Sequence, residues 1–185
     1  MLLIKLNAWL LVIAAVFSLT ACAGVNEKQL AGDPLFAEMD RIGNFVRVER
    51  LEFSERENAY ALTGQTGHLD RMTELMGLMS QELGRAEYFQ RNNKYYPHGM
   101  DYERWKAARE AYGMCRASLC EMMLEVGEMK MRRGDRDDAV ALFEGIVAGF
   151  PEKELSRYVH HAKDFLHQIN EAELYAKDSA GKEVR

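Results

Sequence analysis

The chain has 185 residues, with 24 Lys+Arg against 29 Asp+Glu and a net charge of −5. A mildly acidic chain whose charges are interspersed rather than blocked argues against nucleic-acid binding and reads as a solvated surface around a folded core. Only three prolines, with 48% hydrophobic residues and plentiful Ala, Glu, Leu, Met and Arg, favour helix throughout and an all-α domain.

Residues 1–21 carry the three parts of a secretory signal: one early cation at Lys5, an apolar run from Ala8 to Leu19, and small residues at its end. A membrane-spanning helix needs about 20 apolar residues, so this run is too short to anchor the chain. It closes on Leu19-Thr20-Ala21-Cys22. This motif resembles the lipobox of bacterial lipoproteins. The resemblance implies removal of residues 1–21, a diacylglyceryl group on the Cys22 thiol and an acyl group on its freed amine. Those lipids are the one covalent addition it implies, and no further cofactor is expected. Several acyl chains suffice for stable membrane attachment. Residues 22–33, small and polar after Cys22, form the expected tether, and 34–178 the expected single helical domain, with 179–185 as a disordered tail.

Asp33-Pro34 announces the first long helix, with Asp as N-cap and Pro at the first helical position. Leu35, Met39, Ile42, Phe45, Val46 and Phe53 make its core stripe. Val46, Val48, Leu51 and Phe53 also alternate in part like a strand, but no companion strand follows, so the stretch is assigned to helix. Thr63-Gly64-Gln65-Thr66-Gly67 is a turn. Thr66 is the expected cap of a second helix whose stripe is Met72, Leu75, Met76, Met79, Leu83, Ala86 and Phe89. Arg91 to Met100 reads as a loop, with Tyr95-Tyr96-Pro97-His98 closing one end of the bundle. Asp101 opens a helical region to Arg133, with a bend expected near Gly113. Gly134-Asp135 turns into a helix from Arg136 to Gly149, Phe150-Pro151 ends it, and a last helix starts at Glu154 and ends near Ala176.

Cys120 to Pro151 is similar to a tetratricopeptide repeat, and the matching unit is drawn at 120–153. Gly127 stands at the small position of the first helix, Gly134-Asp135 at the turn, Ala139 and Phe143 at the small and large positions of the second helix, and Pro151 at the end. Lys130 departs from the usual aromatic and Ile146 from the usual small residue. Two helices that cross closely need a missing side chain at the contact, which is the reason for the glycine. One period upstream nothing repeats: Trp105 falls where Ala139 sits and Asn93 where Gly127 sits. The expected architecture is tetratricopeptide-like hairpins in a short solenoid or small bundle of about five helices. In that family the first helix of a repeat lines a partner-binding groove. Carried over, the groove residues are Glu121, Leu124, Glu128, Met131 and Arg132.

Other constellations have plainer explanations. His160, Asp164, His167 and Glu171 recur at helical spacing and would suit zinc, yet they lie opposite the apolar stripe Leu155, Tyr158, Ala162, Phe165, Leu166 and Ile169, as a solvated face. Met72, Met76 and Met79, and Met122, Met123, Met129 and Met131, resemble soft ligands for Cu(I), but the first group falls on a core stripe where methionine is an adaptable filler. Cys115 and Cys120, five residues apart on one helix, have Cα atoms about 8.6 Å apart. That is too far for a disulfide, whose limit is about 7 Å, so both read as buried thiols. Nucleophile, zinc-protease and phosphate-loop motifs are missing from the sequence, so no enzyme is expected and no small-molecule substrate is evident. The reading is a lipid-anchored protein–protein interaction module, an adaptor or assembly factor facing the periplasm from the outer membrane, with an envelope protein as partner. A metal-handling (Cu/Zn) lipoprotein and a structural lipoprotein without a dedicated client are the alternatives.

Overall fold

The computed structural model describes residues 27–150 and 153–182, and all regular structure in them is helical. In chain order the helices are α1 (Glu27–Ala31), α2 (Pro34–Thr63), α3 (Thr66–Asn92), α4 (Gly99–Arg133), α5 (Arg136–Gly149) and α6 (Ser156–Lys182), with a 3-10 turn at Lys153–Leu155 before α6. The protein is an all-α bundle. None of the helices among the described residues is long and apolar enough to cross a membrane.

Local chemistry sets the ends of these helices. Asp33 accepts a hydrogen bond from the Leu35 N–H at 3.0 Å, with Pro34 opening α2. The other carboxylate oxygen takes Arg104 Nε at 2.6 Å, fastening the start of α2 to the start of α4. The Leu35 N–H and Arg104 together hold this carboxyl below the ordinary aspartate range against its desolvation. At the far end Gly64 sits at φ +66, and its N–H returns to the Tyr60 carbonyl at 2.8 Å. The partly alternating stretch 46–53 is helix throughout: Val46 and Phe53 are core, while Val48 and Leu51 are 61% and 63% exposed.

Several ends differ from expectation. The cap position of α3 is Gln65, which makes no side-chain cap bond, and Thr66 already lies in the first turn. Thr63 organises this corner instead, donating to the Ala59 carbonyl at 2.7 Å and accepting from the Gln65 N–H at 3.3 Å. Part of the expected tether is helical, as α1. α4 begins at Gly99 and is uninterrupted through Gly113, where no packed neighbour calls for a break. α6 runs to Lys182, past the end expected near Ala176, because the run up to Gly181 contains no helix breaker.

α2 and α3 are antiparallel, as are α3 and α4, α4 and α5, and α5 and α6, while α2 lies beside α4 and α4 beside α6. The ion pairs show the direction of the row α2–α4–α6. Asp33 meets Arg104 and Arg50 meets Glu121 and Glu125, so α2 and α4 run parallel. At 35 residues α4 is long enough to serve both ends of the molecule. Its first half closes the α2–α3 hairpin and its second half forms a new hairpin with α5.

In that second hairpin a Cβ on Gly127 would lie 2.7 Å from Phe143 Cε1, so the two helices touch where the side chain is missing. Gly134 turns the chain at φ +87, and the Asp135 N–H bonds the Lys130 carbonyl at 2.9 Å. Asp135 makes no side-chain cap bond; its carbonyl takes the Ala139 N–H at 3.2 Å. Lys130, the residue standing in for an aromatic, keeps its stem largely buried and sends its amine to Asp138 at 2.6 Å. Phe143 and Ile146 are fully buried, and Phe143 stacks on Phe165 of α6 at 4.9 Å.

Both described cysteines are buried and free. Burial pushes the Cys115 thiol up to about 12 and the Cys120 thiol to about 11, so they pack as small apolar groups rather than react. Met72, Met79 and Met122 are fully buried, with Met129 close behind; Met76, Met123 and Met131 pack against the same core.

Candidate functional site

Between α4 and α6 lies a groove of about 490 Å³ lined by Glu121, Leu124, Glu125 and Glu128 on one side and Arg157, Tyr158, His161 and Phe165 on the other. Residues three and four apart on a helix share a face, so each wall is one stripe of its helix. Leu124, Tyr158 and Phe165 supply the apolar surface. The stacking of Phe165 on Phe143 ties this surface to α5 behind it.

The rims are charged and partly cross-linked. Arg50 reaches over from α2 to Glu121 at 3.2 Å and to Glu125 at 3.3 Å. Burial lifts the Glu125 carboxyl above the ordinary glutamate range. Arg50 opposes this, and Glu57 and Glu121 add to it. On the facing wall the Arg157 guanidinium lies over the Tyr158 ring at 4.4 Å and donates to its hydroxyl. A half-desolvated carboxylate beside apolar surface strengthens any charged contact made there. The arrangement suits a binding surface, with two rings and one aliphatic side chain inside and charges of both signs around them.

Of the residues expected in a groove, Glu121, Leu124 and Glu128 come together here. Met131 faces the core instead, and Arg132, at the exposed end of α4, pairs with Glu128. Sequence reasoning missed Glu125 and the whole α6 wall. Tyr158 and Phe165 read there only as core stripe, because which helix lies parallel to α4 is not a local property.

The chain matches no family model, no curated protein and no solved structure in the comparisons made with each.

Cys22 lies outside the described residues. His160, Asp164, His167 and Glu171 are all exposed along α6, and only His167 and Glu171 approach one another, at 3.6 Å. No group of three or more metal-ligating side chains forms among the described residues. Tyr95 and Tyr96 are 59% and 61% exposed. Tyr95 packs edge-on to Trp105 at 4.8 Å, which pins the loop to the first turns of α4.

Proposed function

We propose that the protein is a lipid-anchored adaptor of the cell envelope, held by Cys22 at the periplasmic face of the outer membrane and binding a partner protein in the α4–α6 groove. The groove carries the reading. Apolar side chains from two parallel helices line it, charged rims flank it, and three of its residues are those to which the tetratricopeptide resemblance points. The Gly127–Phe143 contact and the left-handed Gly134 support that resemblance, since both are demands of a tight helical hairpin. Such a groove would take an amphipathic helix or an extended segment through apolar anchors. The anchor would raise the local concentration of a modest binding surface beside its partner.

Two measurements test the two halves separately. A photo-crosslinking residue at Glu128 in intact cells should yield one enriched protein adduct, lost when Leu124→Glu is added. Diffuse labelling unaffected by Leu124→Glu overturns the adaptor reading. Replacing Cys22 with Ser should abolish lipid attachment and release the protein from membranes. A C22S product that still pellets with membranes overturns the anchor.

A further inference from the structure

Among the described residues the exposed large aromatic side chains are Tyr88, Tyr95 and Tyr96, at 64%, 59% and 61%. All three sit at one end of the bundle. Tyr88 belongs to the last turns of α3, and Tyr95 and Tyr96 to the loop that leads into α4. Exposed aliphatic side chains lie elsewhere: Val48, Leu51 and Leu62 along α2 and Leu78 midway along α3.

The rings stand on a fixed base. Tyr95 meets Tyr102 and Trp105 edge-on at 6.3 and 4.8 Å, and Tyr102 lies against Trp105 at 5.8 Å. Tyr88 stands edge-on to Phe89 at 5.6 Å. Pro97 restricts the backbone of Tyr96 before it to extended forms. Little freedom is therefore left to lose on contact. Charge does not set this end against a lipid surface. Asp101 is paired with Arg104 at 3.3 Å and Glu87 with Arg91 at 2.5 Å, while Lys94 stands exposed beside the tyrosines.

From this same end the chain runs back to Cys22. Asp33 pairs with Arg104 and Arg50 with Glu121, each joining residues 71 apart, so α2 and α4 keep one register. α4 opens at Gly99, five residues ahead of Arg104, and so stands about 7 Å beyond the start of α2. The aromatic loop caps that overhang. Between Cys22 and the start of α1 at Glu27 the chain can span at most about 18 Å. A lipid on Cys22 keeps α1, and with it this end of the bundle, close to the headgroups.

We infer that this end of the bundle rests on the lipid surface, with Tyr88, Tyr95 and Tyr96 in the headgroup layer. Tyrosine suits that layer because its ring is apolar and its hydroxyl stays wet. The inference rests on the Cys22 anchor, which supplies a proximity that three rings alone do not. Its consequence is geometric: Leu124 lies about 37 Å along α4 from Gly99, so the groove is presented well out from the membrane.

The test uses protein purified from membranes and reconstituted in phosphatidylethanolamine–phosphatidylglycerol vesicles that contain a lipid brominated high on its acyl chains. Trp105 is the one native indole once Trp9 leaves with residues 1–21, and it forms a common background. Tyr96→Trp adds an indole at the aromatic end. Leu62→Trp adds one at the far end of α2, where Leu62 is 87% exposed. The bromolipid quenches the added emission of Tyr96→Trp and leaves that of Leu62→Trp unchanged. Adding Tyr88→Ser to Tyr96→Trp reduces the quenching and leaves the thermal melt in place, because an exposed side chain contributes little to the fold. Equal quenching at both positions, none at either, or quenching that Tyr88→Ser does not reduce overturns the inference, and a lipid on Cys22 in the mass spectrum then leaves the anchor standing. A protein without that lipid overturns the two together.

Discussion

Where α2 meets α3, the buried residues are Met39, Ile42, Val46 and Phe53 on α2 and Leu69, Met72, Leu75 and Met79 on α3, and arginine–carboxylate pairs run along the edge: Arg41 with Glu82, Arg85 with Glu38 at 2.8 Å and Arg71 with Glu52 at 2.8 Å. Where α4 meets α5, one glycine lets the helices close on a phenylalanine ring that is itself stacked on α6. The first seam is filled by full-sized apolar side chains, adaptable methionines among them, and polar staples fix its register. The second depends on shape matches at glycine: the Phe143 ring against Gly127, and Met123 Cε, which a Cβ on Gly145 would approach to 3.0 Å. Packing by adaptable side chains tolerates substitution, whereas packing by close approach does not.

Cutting the second seam should have the largest effect. Phe143→Ala removes a fully buried ring that contacts both Gly127 and Phe165; about 3–5 kcal/mol should be lost in urea denaturation. In the first seam, Met79→Leu at an equally buried position should cost less than about 1.5 kcal/mol. If the two substitutions cost the same, the contrast between the seams fails.

The staples of the first seam come next. Arg41→Ala leaves the buried Glu82 carboxylate without this partner, and about 1–3 kcal/mol should be lost. Glycine substitution then separates the seams most directly. Gly127→Ala drives a methyl into the Phe143 ring; overpacking of about 1–3 kcal/mol, less the helix-propensity gain, predicts a clear net loss. The same change at Gly84 on α3 meets nothing within 4 Å and should raise stability by about 0.5–1 kcal/mol.

Glu49 sharpens the comparison through pH. Its Oε2 is buried without a hydrogen-bond partner, and burial, helped by Glu52, raises the carboxyl above the ordinary glutamate value. Folding therefore holds this proton more tightly than the unfolded chain does. The penalty of the charged form is complete above the folded-state pKa and fades as pH falls through it. Glu49→Met should add about 1 kcal/mol near pH 7, and the gain should shrink in thermal melts below pH 4. A gain that does not change with pH would assign the effect to packing rather than charge.

Helix starts and stops were legible where one or two neighbouring residues decide them: Asp33-Pro34, Gly64 and Gly134 all act as their local chemistry requires. Thr66 was misread as a cap because the cap position is Gln65, and Thr63, two residues before it, already ties the corner. Core stripes were legible because burial follows the helical period. Glu82 was not, since a charged residue on a core stripe is placed only by the Arg41 that meets it from α2.

By itself, then, the sequence determined an all-α chain, its turns, the buried thiols and the glycine at which α4 and α5 close. Each follows from interactions within about one helical turn or from a missing side chain. The tertiary structure alone decided that α2, α4 and α6 run parallel as a row, that Leu124 faces Tyr158 and Phe165, and that Tyr88, Tyr95 and the start of α2 share one end. Those pairings join residues far apart in sequence, and which helix face meets which depends on how all of them share one buried core.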